Sequence, residues 1–235
     1  MRHKKFAEIY DEFMNFVDYN SWFKFLKSFS KKKKMKVLDL GCGTGTMANF
    51  FAKDGHDVVA VDISEDMIEI ANTKFNNVNI DFKVGDITKE SFGNDFDLIM
   101  CNFDTVNYFH DLKSLQSFLE IVKNSLKDDG IFIFDIVEEG IFDEMFENDL
   151  FIDETDKYLC IMRHEKIKKF KHIVEMTIFV KEENDLYRKY SETHNKMIFD
   201  TDLVLENLKN EGFKLFDTAR NSEYGESRLF LVCKK

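Results

Sequence analysis

Residues 36–46 read KVLDLGCGTGT, and the rest of the chain can be interpreted outward from this stretch. Its apolar residues Val37, Leu38 and Leu40 form a short run that is interrupted by one carboxylate, Asp39. An apolar run of this length that ends at glycine is typical of a strand buried on both faces. Glycines then alternate with small side chains before a helix-like segment. The pattern predicts a strand, a glycine-rich loop and a helix, an arrangement that offers bare N–H groups to a cofactor.

The spacing of the glycines distinguishes between cofactors. The dinucleotide-binding motif G-x-G-x-x-G needs its third glycine at position 46, where this chain has threonine. Asp39 would also repel a pyrophosphate, whereas it would attract a ligand that carries an ammonium and a sulfonium. The sequence VLDLGCGTG resembles the first motif of the Rossmann-like S-adenosylmethionine-dependent methyltransferases. That resemblance implies that Asp39, Gly41, Cys42 and Gly43 bind S-adenosylmethionine.

Acids also follow the next two predicted strands. Residues 57–61 run into Asp62, and an acid at this point can accept hydrogen bonds from both hydroxyls of a ribose. Alternating apolar residues at 80–84 precede Asp86, which the resemblance implies accepts a hydrogen bond from the adenine amino group. A surface turn is the alternative for Asp86. The resemblance adds these further cofactor-binding candidates: Ile63, Met67, Ile87 and Asn102.

The loop after the predicted fourth strand reads NFDTVNYF. Ligands bind at the carboxyl ends of the strands in open α/β sheets, so this loop should face the transferable methyl group. Methyltransferases that act on planar amide or adenine nitrogens typically carry an Asn-Pro-Pro-aromatic motif here, and this chain has no proline. The loop instead resembles the D-S-x-N-Y element of small-molecule and sugar-amine methyltransferases, with Thr105 replacing serine. The resemblance makes Asp104, Asn107 and Tyr108 candidate cofactor or substrate contacts, and Asp104 a catalytic candidate.

Strands and helices alternate up to a fifth strand at 131–136. This order predicts an α/β fold with a doubly wound, mostly parallel seven-stranded sheet and helices on both faces. The last helix is predicted at 201–211, and two final strands at 213–217 and 228–233.

A different pattern separates the fifth strand from the last helix. Residues 159–165, 173–180 and 187–198 alternate with period two, which predicts a small antiparallel sheet with polar links at 168–172 and 182–185. In the small-molecule and sugar-amine methyltransferases that this chain resembles, members that methylate small amines carry such a sheet as a lid over the substrate. The expected division is a Rossmann-like domain of residues 1–139 and 199–235 and an inserted lid of residues 140–198.

Two further catalytic candidates lie outside the cofactor motifs. Glu192 and His194 are two residues apart in a predicted strand and therefore share a face, so Glu192 could orient the imidazole. The alternative is that Glu192 and His194 belong to the solvated face of a half-exposed sheet.

Tyr10 and Asp11 match a Tyr-Asp pair near the start of many small-molecule methyltransferases, whose first helix covers the cofactor. An aromatic ring there could attract a sulfonium through cation–π interaction, although Tyr10 could equally be a core residue.

Composition restricts the partners. A net charge of -11 argues against binding to the phosphate backbone of nucleic acids. The four cysteines are far apart, with no C-x-x-C pair, no secretory leader and no membrane-length apolar run, which predicts a cytoplasmic protein. We therefore expect a small-molecule methyl acceptor, no nucleic acid, no membrane, no metal, and a monomer or homodimer. The alternatives are a dinucleotide-dependent oxidoreductase, an aminopropyl transferase and a non-catalytic adenosylmethionine-binding protein.

Overall fold

The computed structural model describes residues 4–182, 186–220 and 225–235. The helices are α1 Lys4–Phe13, α2 Tyr19–Ser28, α3 Thr46–Lys53, α4 Glu65–Lys74, a 3₁₀-helix Thr105–Tyr108, α5 Leu112–Ser125, α6 Gly140–Met145 and α7 Thr201–Asn210. The strands are β1 Lys36–Leu40, β2 Asp57–Asp62, β3 Ile80–Val84, β4 Phe96–Cys101, β5 Leu126–Val137, β6 Leu150–Glu154, β7 Tyr158–Lys168, β8 Lys171–Lys181, β9 Tyr187–Met197, β10 Lys214–Arg220 and β11 Arg228–Lys234.

Seven strands form the main sheet, in the order β10-β11-β5-β4-β1-β2-β3. β1 pairs in parallel with both β2 and β4, whereas β11 is antiparallel to β5 and to β10. Successive residues of β4 contribute to two different hydrophobic clusters, with Leu98 beside α2 and α3 and Ile99 beside α5 and α7. Helices therefore cover both faces, and the predicted doubly wound, mostly parallel sheet is confirmed.

A second, antiparallel sheet of four strands has the order β6-β7-β8-β9. Its inward face, which includes Met162 and Val174, packs against Phe142 of α6. The sequence predicted three of these strands and missed β6, a short strand that pairs Ile152 with Ile161. The first predicted link is also shorter than expected, because β7 and β8 meet at a hairpin with Phe170 at φ 68°. Part of the second link, 183–185, lies outside the described residues.

The N-terminal helices differ from the prediction in two ways. Apolar residues recur at helical spacing from Phe6 to Val17, which predicts a helix over this stretch, but α1 ends at Phe13 and Phe16 is 69% exposed. Asp18 stops the pattern because its carboxylate caps α2 by accepting hydrogen bonds from two backbone N–H groups. From the sequence we expect both helices to lie on the main domain, whereas Phe6 and Ile9 of α1 pack in the cluster of the second sheet. Helix α1 therefore contacts the second sheet and also, through Asp11, Thr44 of the glycine-rich loop and Lys74 of α4.

Other boundaries moved by a few residues. β5 begins at Leu126 instead of residue 131, because the segment 126–130 continues the strand, with a shift in register against β4. All four cysteines are free thiols. Within the described part of the chain, no helix combines the length and the apolarity needed to cross a membrane.

Candidate active site

The glycine-rich loop turns tightly at the carboxyl end of β1. Gly41 has φ 76°, and a Cβ at this position would lie 2.4 Å from Cγ2 of Thr105. A Cβ at Gly43, with φ 54°, would lie 3.5 Å from the ring of Tyr10. The N–H groups of Gly41 and Cys42 both donate to the carbonyl oxygen of Val61. Glycine is thus required at position 41 because the 3₁₀-helix approaches it closely, and it is favoured at position 43 because of the positive φ.

Asp62, the predicted ribose-binding acid, lies directly beside this loop. Its Oδ2 accepts a hydrogen bond from the N–H of Gly43 at 2.9 Å, and its Oδ1 accepts one from the N–H of Ser64 at 2.9 Å. The carboxylate therefore links the loop after β1 to the start of α4.

Asp39 is a buried acid, and its side chain is incompletely bonded. The residue is 2% exposed, and its Oδ2 has no hydrogen-bond partner among the residues that the structure describes. Burial, together with the nearby carboxylate of Asp62, raises the pKa of Asp39 to about 7. Nδ2 of the buried Asn102 also lacks a partner in the described chain, although its Oδ1 accepts from Trp22. A donor and an acceptor thus remain for a ligand, since buried polar groups are normally hydrogen-bonded.

These two side chains line a small cavity of about 20 Å³. Tyr10, Gly41 and Phe103 are among the other residues that line it. Sites for cofactors typically enclose several hundred Å³. This cavity by itself is therefore too small for a cofactor.

The remaining predicted cofactor residues lie apart from this cavity. Asp86 caps its own turn by accepting from Thr88 and from Lys89. Burial would raise the pKa of Asp86, but the hydrogen bonds from Lys89 and Thr88 lower it overall. Among the apolar cofactor-binding candidates, Ile63 is 53% exposed, whereas Met67 and Ile87 are buried.

His194, a catalytic candidate of the second sheet, meets Tyr108, a candidate cofactor or substrate contact of the loop after β4. Oη of Tyr108 lies 2.9 Å from Nδ1 of His194. Nε2 of His194 lies 3.6 Å from Oε2 of Glu192, so the two share a face as predicted. Oε1 of Glu192 in turn accepts from the N–H of Phe6 at 3.0 Å, and the ring of Phe6 packs edge-on against the imidazole. A polar chain therefore runs from the loop after β4, through the second sheet, to α1.

Asp104 is held by two cations that the sequence patterns did not identify. Its carboxylate pairs with Lys196 and with Arg228, and Arg228 also pairs with the fully buried Asp135. Burial would raise the pKa of Asp104, but Lys196 and Arg228 lower it. Asp135 also accepts from the backbone N–H of Asp104 at 2.9 Å. The carboxylate of Asp104 is therefore a weak base with both charge partners in place.

Sequence features could have identified two of the three residues in this charge cluster, Asp135 and Lys196. Asp135 is an acid within an otherwise apolar strand, where an unpaired carboxylate would be costly. Lys196 is two residues beyond His194 and so must share its face. Its ammonium lies 3.4 Å from the centroid of the Tyr108 ring. Arg228, at the start of the last predicted strand, carried no signal of its own.

Tyr10 lies among the other polar groups of the site. Burial raises its pKa well above the ordinary value, with added contributions from Tyr19, Asp104, Tyr108 and Asp62. These contributions show that Tyr10 lies within electrostatic range of the loop after β4 and of Asp62, beside the glycine-rich loop after β1 (hereafter the cofactor loop). The phenol therefore remains protonated at neutral pH.

Comparison with known proteins identifies the family. Residues 37–130 match the family model described as a methyltransferase domain. The chain is 30% identical to the putative methyltransferase YqeM of Bacillus subtilis (strain 168), over 100% of this chain and 98% of that protein. This chain belongs to the methyltransferase family. These matches favour the prediction of a methyltransferase over the alternative prediction of a dinucleotide-dependent oxidoreductase.

Solved structures agree with this methyltransferase assignment. An S-adenosylmethionine-dependent methyltransferase from Clostridium acetobutylicum ATCC 824 has a TM-score of 0.86 and 25% identity, covering 98% of this chain and 97% of that one. The sugar N-methyltransferase KedS8 from Streptoalloteichus sp ATCC 53650 has a TM-score of 0.77 and 17% identity, covering 96% of this chain and 92% of that one. At that identity KedS8 shows the shared fold only. The resemblance seen in VLDLGCGTG is thus confirmed, and the chain is an S-adenosylmethionine-dependent methyltransferase.

The groups around the loop of this methyltransferase fit its cofactor chemically. S-adenosylmethionine carries an ammonium, a carboxylate and a sulfonium, and the unpartnered Oδ2 of Asp39 and Nδ2 of Asn102 offer an acceptor and a donor. A cation would also favour the charged form of Asp39, which burial alone disfavours.

Proposed function

We propose that this methyltransferase transfers a methyl group from S-adenosylmethionine to a nitrogen or oxygen of a small molecule. The acceptor would lie between the cofactor loop and the second sheet. The contact of Tyr108 with His194 carries this proposal, because it joins a proton-accepting imidazole of the second sheet to the loop at the carboxyl end of β4.

The cofactor loop and the strand ends would hold the cofactor. In this proposal Gly41, Cys42 and Gly43 lie along it, and Asp39 binds its ammonium. Asp62 would bind the ribose hydroxyls, because its carboxylate already lies at the loop. Asp86 would bind the adenine amino group, with an apolar pocket assigned to these neighbours: Ile63, Met67 and Ile87. Asn102 would bind the methionine carboxylate.

The bound cofactor supplies an electrophilic methyl group and a good leaving group. The protein must align the acceptor and accept its proton. We assign the contact with the acceptor to Tyr108, because His194 is only 3% exposed and lies behind it. The acceptor proton would pass to the Tyr108 oxygen while the Tyr108 proton moves to Nδ1 of His194. Glu192, 3.6 Å from Nε2, would stabilise the imidazolium.

Asp104 and Tyr10 would have supporting roles. The low pKa of Asp104 and its pairing with two cations suit a residue that positions the loop better than one that accepts a proton. Tyr10 would close the cofactor pocket from the side of α1, since its ring lies over Gly43. Residues 140–198 would act as the lid that excludes water from the acceptor.

The experiment is a transfer assay with methyl-labelled S-adenosylmethionine. The protein is incubated separately with a small-metabolite filtrate, with the protein fraction and with the RNA fraction of the same extract. We expect label only in the filtrate, since a net charge of -11 disfavours a nucleic-acid acceptor. Asp62→Asn serves as the control for cofactor-dependent transfer. Label in the RNA or protein fraction alone would contradict a small-molecule acceptor.

A further inference from the structure

A second and larger cavity lies beyond the polar chain. It has a volume of about 190 Å³ and lies between the residues after the 3₁₀-helix, Phe109 and His110, and the end of the second sheet where β8 begins and β9 ends. An apolar cavity of about 150 Å³ is large enough to hold benzene. The space therefore suits a molecule with one aromatic or saturated ring.

Its polar lining is basic or neutral, although the chain is strongly acidic. Lys171 and Lys196 line it together with His172 and Asn195, and none of the residues that line it is Asp or Glu. Lys196 is paired with Asp104, but Lys171 forms no ion pair with any residue in the described part of the chain. The cavity thus offers one uncompensated ammonium, the arrangement that a carboxylate or similar anion would match.

A buried imidazole also lines the cavity. His172 is 3% exposed, and its Nε2 lies 3.6 Å from Oε1 of Glu139. Its Nδ1 lies 2.9 Å from Nε2 of His164, which fixes the ring. The imidazole is therefore held by His164 on one side and faces Glu139 on the other, so Lys171 supplies the charge that the cavity offers to a ligand.

The rest of the lining is apolar. Phe109 and Met197 form part of it, with Ile167 and Ile173 from the hairpin side. Ile167, at 49% exposed, is the most accessible of these four side chains. The combination suits an apolar body with a single anionic group.

Lys196 connects this cavity with the proposed reaction site. It lines the cavity, and its ammonium lies 3.4 Å from the centroid of the Tyr108 ring, whose hydroxyl contacts His194. One side chain therefore separates the cavity from the proposed proton acceptor.

We propose that this cavity binds the anionic end of the methyl acceptor, which would carry a ring-sized apolar body and a single anionic group. This inference rests on the proposed function, because it assigns the cavity to the acceptor. Lys171 binds the anionic group and the four apolar side chains surround the ring. The nucleophilic atom lies at the opposite end, toward Tyr108.

The test uses two probes of the same shape, 4-fluorobenzoate and the neutral 4-fluorobenzyl alcohol, followed by fluorine NMR titration of the full chain. The wild type should bind the benzoate more tightly. Lys171→Gln should weaken benzoate binding about two- to fivefold, as for a partly exposed charge pair, and leave the alcohol unchanged. Lys189→Gln, an exposed lysine of β9 that does not line the cavity, should change neither. Equal binding of the two probes, or equal effects of both variants, would overturn the proposal.

Two further measurements separate this proposal from the proposed function. Ile173→Trp should fill the cavity and abolish binding of both probes, and if that variant does not fold, the comparison of Lys171→Gln with Lys189→Gln decides. In the transfer assay with the metabolite filtrate, 4-fluorobenzoate should inhibit the wild type more than Lys171→Gln. Probe binding without inhibition would overturn the assignment to the acceptor. A wild type that methylates no small molecule would instead contradict the proposed function, which probe binding does not test.

Discussion

Oη of Tyr108 lies 2.9 Å from Nδ1 of His194, a contact between residues 86 positions apart in sequence. The imidazole is buried beneath Phe6 of α1 and beside Glu192. The main sheet, the second sheet and the N-terminal helix therefore meet at a single pair of proton-carrying groups. Such a pair can act as a unit in proton transfer.

We expect Tyr108→Phe and His194→Gln each to lower kcat by about 100-fold or more, because each removes one end of the proposed proton path. The double variant should be no slower than the slower single variant, since groups that act as a unit are not additive. Affinity for S-adenosylhomocysteine, measured by calorimetry, should not change. Tyr187→Phe, at an exposed tyrosine of β9, is the matched control. Additive losses in the double variant would show that the residues act independently.

Asp62→Asn should weaken binding of S-adenosylhomocysteine by roughly 1.5–3 kcal/mol, as for a lost hydrogen bond to a charged group. The amide retains one oxygen, so the contacts with Gly43 and Ser64 are only partly lost. Asp81→Asn, at an exposed carboxylate of β3 paired with Lys83, is the control. Thermal unfolding without cofactor separates a collapsed loop from a lost ligand contact. Unchanged affinity in a folded Asp62→Asn protein would refute the ribose assignment.

The stability conferred by Asp39 should fall as pH rises. Its folded pKa is about 7, against an ordinary value of 3.8, so the folded protein holds the proton more tightly than the unfolded chain does. The free energy of unfolding therefore decreases between about pH 4 and pH 7 through this group. The Asp39→Asn variant lacks this pH-dependent contribution to the free energy of unfolding. Its free energy of unfolding, relative to that of the wild type, should therefore be greater at pH 8 than at pH 5. Urea titrations at both values test this, with the exposed Asp57→Asn as control. A stability difference independent of pH would show that Asp39 is not buried as a neutral acid.

Arg228→Met should lower the free energy of unfolding by about 3–5 kcal/mol, because it leaves the fully buried carboxylate of Asp135 without its cation. Arg220→Met removes a partly exposed pair with Glu138 and should cost less than about 1 kcal/mol. Urea denaturation at neutral pH gives both values. Similar losses in the two variants would mean that the buried pair adds nothing beyond a surface one.

The sequence alone determined the main sheet and the cofactor loop. Both depend on local patterns: apolar runs that end at glycine or at an acid place Asp39 and Asp62 at strand ends whatever the distant packing is. The alternation in 187–198 likewise placed Glu192 and His194 on one face. The short β6 was missed because it owes its existence to pairing with β7, which no local period records.

Only the tertiary structure decided which side chains meet. Arg228 reaches Asp104 across 124 positions and Asp135 across 93, and Lys196 reaches Asp104 across 92. These pairs form because sheet order places β11 beside β5 and because the second sheet lies against the loop after β4. Burial then sets their ionisation, since the cost of removing a charge from water is met only by a partner that folding brings near. The charge pairs that hold the loop after β4 in place therefore depend on the packing of distant segments. The cofactor motif, in contrast, is formed by residues that are neighbours in the chain.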